Sequence, residues 1–107
     1  MTDFFRFPHT AHIAWLATGE PRDDKVLSPA EAQALLAHDV VVEEKLDGAN
    51  LGFSLDEHGQ LRAQNRGQYL SDPHAGQFAR VPTWLQLHGD ALHAELTPDL
   101  ILFGEWC

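Results

Sequence analysis

The sequence predicts an α+β domain, an antiparallel sheet with two helices. Three observations carry that expectation. Residues 50–55 and 60–66 alternate apolar and polar side chains around Asp56-Glu57-His58-Gly59, whose composition is that of a turn. Ser28-Pro29-Ala30-Glu31 has the chemistry of a helix start: a capping serine, a proline at the first helical position, and a glutamate placed to close a capping box. Thr83, with Gln86 three residues on, opens a second helical stretch ahead of the apolar run Leu100–Trp106.

In chain order, Phe4–Phe7 with Pro8 reads as a short edge or lead-in segment, and His12–Leu16 as a short strand. Gly19–Lys25 is a polar loop. The first helix is expected over Pro29–His38, with Ala32, Leu35 and Leu36 as its apolar stripe. Val40–Leu46 then reads as a strand. Val40, Val42 and Leu46 fall on one face with Glu44 among them, and Val41, Glu43, Lys45 and Asp47 on the other. Gly48 permits a turn or a close approach of backbone to a ligand.

In the hairpin that follows, Leu51, Phe53 and Leu55 must share a face with Leu61 and Ala63. That requires Leu55 to pair with Leu61, because a slip of one residue turns one strand over. Extended further, the same register sets Gln64 opposite Gly52 and Arg66 opposite Asn50. Ser71–Gln77 is a polar loop. The second helix should run from Thr83 to about Leu96, with Trp84, Leu85, His88, Ala91, Leu92 and Glu95 as a mixed stripe weakened by Gly89. Thr97-Pro98-Asp99 ends it, and Leu100–Trp106 is the last strand.

Four stretches together resemble a known family. E-K-L-D-G at Glu44–Gly48 is similar to the K-x-D-G motif of the covalent nucleotidyltransferases, the superfamily of polynucleotide ligases and mRNA capping enzymes. Asn50 follows at the spacing of RNA ligases. Q-N-R-G-Q-Y-L at Gln64–Leu70 looks like the next, arginine-bearing motif, and L-F-G-E-W at Leu102–Trp106 looks like the F-G-E motif. The resemblance covers nearly the whole chain and implies the first subdomain of a ligase or capping-enzyme nucleotidyltransferase fold, which is ATP-grasp-like. Residues 1–107 are then expected to be the N-terminal part of one RNA ligase domain, truncated after F-G-E. The later family motifs, an aromatic one, E-G-x-V and K-x-K, are not in the sequence. That leaves open whether the 107 residues act alone, and it favours, as the rival reading, a non-catalytic nucleotide-binding or interaction remnant.

The resemblance implies an ATP-dependent RNA ligase that uses ATP and Mg2+ to join a 5′-phosphate to a 3′-hydroxyl through a lysyl-AMP intermediate. A DNA ligase or capping guanylyltransferase is the close alternative. Lys45 is the implied nucleophile. A free lysine titrates near ~10.4, so a site that uses it must favour the neutral amine by desolvation or nearby cations. The ordinary alternative is a surface lysine paired with Glu43 or Asp47. Nucleotide contacts are implied for Glu44, Asp47, Gly48, Asn50, Arg66 and Glu105. Of these, Arg66 offers permanent forked donors suited to phosphate or ribose, and Glu105 would accept from ribose hydroxyls. Arg62 reads as a solvated strand position, and Phe103 and Trp106 as core.

Composition bounds these readings. The 107 residues suit one small domain, and 44% are hydrophobic. Seven Lys and Arg against sixteen Asp and Glu give a net charge of −9, which opposes strong phosphate binding, so RNA ends should be held weakly, if at all, by this stretch alone. One cysteine, Cys107, forms no internal disulfide and suits a reducing cytoplasm. No run approaches a membrane span or a signal peptide. The seven histidines have no metal-ligand spacing and read as surface or capping residues.

Overall fold

The structure is a computed structural model that describes residues 4–16, 18–19, 26–71 and 76–107. Two compact units divide it: Pro8–Lys45, and the described residues of Met1–Phe7 together with Leu46–Cys107.

The larger unit holds the sheet. Strands β1 (Ala49–Leu55), β2 (Leu61–Gln64) and β3 (Leu102–Trp106) are antiparallel in the order β2-β1-β3. In the β1–β2 hairpin Gly52, Phe53, Ser54 and Leu55 face Gln64, Ala63, Arg62 and Leu61, the register that the apolar alternation requires. Its turn is held by Asp56, whose Oδ1 accepts from the His58 and Gln60 amides at 2.8 and 2.9 Å. These donors, Gln60 first, keep the Asp56 carboxyl below its ordinary value, against an opposing push from desolvation.

Each strand's ends fall where local turns compete with the ladder. β2 stops at Gln64, short of the expected Arg66, because the Asn65 side chain accepts from Gly67 N and Gln68 N, both at 2.9 Å. Pairing of Arg66 with Asn50 is therefore not formed, and Asn50 pairs with Glu105 of β3 on its other side. β3 begins at Leu102, not Leu100, because Leu100 N bonds to Thr97 O in a turn.

Helix α2 spans Val81–Glu95, two residues earlier than expected from Thr83. Pro82 sits in the first turn, where no amide hydrogen is needed. It packs on the Leu51–Phe53 face of the sheet. Phe53 stacks on Trp84 at 5.3 Å and 8°, and Trp106 meets Trp84 edge-on at 6.2 Å. Leu51, Phe53, Ala63, Phe78 and Val81 form the buried core, with Trp106 packed against them, while Phe103 is half-buried on the other face.

That second face, which reads as polar in sequence, is covered too. Ser54 and Gln64 are buried, and Gln64 Nε2 donates to Phe5 O at 2.8 Å. Phe5 and Phe7 pack on the Phe103 ring at 6.4 and 5.0 Å. The lead-in segment thus acts as a lid on the sheet. Arg62 is correspondingly no solvated strand residue: its Nε donates to Ser54 Oγ at 3.0 Å and its guanidinium lies 4.3 Å from the Tyr69 ring centre.

In the smaller unit, helix α1 spans Pro29–Leu36 and starts as the sequence predicts. Glu31 N donates to Ser28 Oγ at 3.2 Å and Ser28 N to Glu31 Oε1 at 2.9 Å. Bonds to the Glu31 carboxyl, from the Ser28 amide first and the Ser28 side chain second, hold it below its ordinary value, against a desolvation push upward. Ser28→Ala is expected to cost on the order of 1 kcal/mol, read as a lower urea midpoint of the helical signal. An unchanged midpoint would count against the cap. The expected strand at His12–Leu16 is reduced to one parallel bridge from His12 to Val26, since a single bridge offers the segment no ladder to extend. Of the expected polar loops, residues 20–25 of the first and 72–75 of the second lie outside the described residues.

The strand expected at Val40–Leu46 is not formed. Both edges of β1 are taken by β2 and β3, and no described strand offers residues 40–48 a hydrogen-bonded neighbour. Residues 40–48 are all exposed, Val41 and Val42 by 84% and 91%. The argument that Lys45 and Asp47 share a strand face therefore lapses.

Candidate functional site

The end of the sheet where β1 begins gathers part of the predicted site. Asn50 and Glu105 are direct partners across β1 and β3, so their side chains rise from the same face. Glu105 is exposed. Asn50 is half-buried, and its Oδ1 is buried with no hydrogen-bond partner among the described residues. On the same face stands Gln64, 1% exposed, whose Oε1 likewise lacks a described partner. Gln64 belongs to the arginine-bearing stretch but had no assigned role. What singles it out is its burial beneath a segment 59 residues away, which periodicity does not register.

Arg66 lies in the tight Asn65–Gln68 turn just past β2. It is exposed, with its guanidinium 5.3 Å from the Phe7 ring centre. Gly48 serves a need internal to the fold. A Cβ there would stand 2.6 Å from the Trp106 carbonyl oxygen and 3.0 Å from Cys107 Sγ. The close approach is thus to the end of β3. Gly48→Ala must push that backbone away and is expected to cost about 1–3 kcal/mol in a denaturant melt. A substitution without effect would show that this strand end yields freely.

Asp47, exposed, belongs with Gly48, Asn50, Arg66 and Glu105 to the larger unit, whereas Glu44 and Lys45, both exposed, belong to the smaller. The structure therefore brings together Asn50 and Glu105, with Arg66 one short turn beyond β2. Glu44 and Lys45 precede the first residue of β1, Ala49, with three residues between Lys45 and that strand.

A model of the RNA ligase family matches residues 38–107. The chain belongs to the RNA ligase family. The matched stretch of this RNA ligase homologue runs from the end of α1 through β3 and contains every predicted site residue, Glu44 and Lys45 included. No curated protein and no solved structure matches the chain. Among the described residues, no three His, Cys, Asp or Glu side chains are grouped to hold a metal ion. No helix of the described residues is long and apolar enough to cross a membrane.

Proposed function

We propose that this chain supplies the nucleotide-handling residues of an ATP-dependent RNA ligase, working in the cytoplasm on RNA ends, as the front part of a nucleotidyltransferase domain. Family membership supports a ligase-type function in general. The observation that carries the finer reading is the Asn50–Glu105 pair: the residue six after the start of E-K-L-D-G and the acid of F-G-E meet across two strands.

In this reading the neutral Lys45 amine attacks the α-phosphorus of ATP. A P–N bond forms, the bond to pyrophosphate breaks, and the amine gives up a proton. The RNA 5′-phosphate then displaces lysine from phosphorus, and a 3′-hydroxyl displaces AMP. Glu105 accepts from ribose hydroxyls, and the orphan Asn50 oxygen accepts a further donor of the nucleotide or RNA end. Arg66 contacts phosphate or ribose with its forked donors. Glu44, Asp47 and Gly48 flank the nucleophile. The described residues do not fit a magnesium site of their own, so Mg2+ enters only as the companion of the ATP phosphates.

Capture of labelled AMP from ATP, tested beside GTP, examines this directly. Retention from ATP alone is expected. Retention from GTP alone would replace the ligase with a capping chemistry, and retention from neither would remove the covalent reading.

A further inference from the structure

A pocket lies on the same face of the sheet as Asn50 and Glu105, at its other end. It encloses about 520 Å3 and is lined by Phe5, Ser54, Arg62, Tyr69, Asp99 and Phe103, with the backbone turn into β3 closing one side. Ser54 stands four residues along β1 from Asn50, about 13 Å at the rise of a strand. The pocket is thus separate from the nucleotide-handling corner, and its volume falls in the range of small-ligand sites.

Its chemistry is specific. Arg62 enters as a fixed plane, because Nε is tied to the buried Ser54 hydroxyl at 3.0 Å and the guanidinium lies over Tyr69 at 4.3 Å. Tyr69 is itself braced edge-on by Phe4 at 5.0 Å. Phe5 is 52% exposed and contributes a second flat wall. Asp99, an acid, lines the same pocket as Arg62. Flat walls with both an acceptor and donors suit a heterocycle whose edge carries both kinds of group. A nucleobase is such a group, and stacking on aromatic and guanidinium planes is how unpaired bases are commonly held.

We infer that the Phe5–Arg62–Tyr69 pocket holds an unpaired base of the RNA strand whose end is processed at the Asn50–Glu105 corner. The source of the strand rests on the ligase reading, whereas the base-holding chemistry stands on the pocket alone. Stacking here supplies affinity that the net charge of −9 denies to phosphate contacts.

The test is fluorescence polarisation with a short labelled single-stranded RNA, run beside its duplex form and unlabelled mononucleotides. Arg62→Ala and Phe5→Leu should each weaken single-strand binding roughly ten-fold. Arg62→Lys should fail to restore it, since an ammonium keeps the charge and loses the plane. Binding should depend only weakly on salt. Circular dichroism melts identify any variant that fails to fold, and for exposed Phe5 the leucine is expected to fold. Unchanged affinity in folded Arg62→Ala and Phe5→Leu would overturn the inference, as would no measurable binding by the unsubstituted chain. Competition by mononucleotides as effective as the oligomer would make the ligand a free nucleotide and overturn the strand assignment. AMP capture from ATP, measured on the same samples, reports on the ligase reading separately. Capture lost with the stacking effect intact would sink that reading and leave this site standing.

Discussion

Lys45→Ala is expected to abolish the AMP adduct and all ligation that starts from ATP. Intact-mass measurement after incubation with ATP and magnesium reads the first, and nick sealing reads the second. The loss should be complete, because no other group in E-K-L-D-G offers an amine to phosphorus. Lys45→Arg should fail as fully: a guanidinium stays protonated at any accessible pH and carries no lone pair for attack. Only one other lysine, Lys25, exists in the chain. An adduct that persists in Lys45→Ala would name a different nucleophile. Sealing of a pre-adenylylated RNA should survive either substitution better than sealing from ATP, since that substrate already carries the AMP that lysine would deliver.

Phe53→Ala carries the largest expected effect on stability. Phe53 is 6% exposed, belongs to the buried core and lies nearly parallel to Trp84 with ring centres 5.3 Å apart. Removing the ring loses its transfer energy and leaves a cavity between sheet and helix, about 3–5 kcal/mol together. A small domain has about 5–15 kcal/mol in total, so much of the folded population at modest urea should vanish. A denaturant titration followed by tryptophan fluorescence would show it, since Trp84 loses its partner. A cost under about 1 kcal/mol would mean that the stack contributes little and that Leu51 and Val81 hold the core without it.

The contrast among elements shows what kind of information a sequence holds. The hairpin register was legible from Leu51, Phe53, Leu55, Leu61 and Ala63, because alternation and the length of the Asp56–Gly59 turn leave one pairing that keeps them together. The α1 cap was legible because Ser28 and Glu31 act on one another across three residues. The strand at Val40–Leu46 was misread because valine-rich alternation reports an affinity for sheet and says nothing of a free edge to join. The covering of the Gly52–Ser54–Gln64 face was hidden for a related reason: it depends on Phe5 and Phe7, more than forty residues upstream of β1. For the candidate site, motif spacing picked out Asn50 and Glu105, and the β1–β3 register sets those two opposite one another. Arg66 was read as a strand residue opposite Asn50, but the Asn65 turn takes it off the strand. Arg62 was undervalued because its partners, Ser54 and Tyr69, matter only once the sheet has formed.

Glu105 stands on an outer strand and Asn50 on the middle one, and this has a kinetic meaning. Amide hydrogen exchange should be slowest at Gly52 and Phe53, paired on both sides, and faster in β3, which can peel away while the hairpin persists. Each such opening parts the acid from the amide without unfolding the protein. Under the proposed function, the fraction of molecules able to hold the nucleotide would then follow the local opening equilibrium of Leu102–Trp106 and not the global unfolding free energy. Reinforcing that single strand should raise nucleotide affinity while leaving the contacts to the nucleotide unchanged.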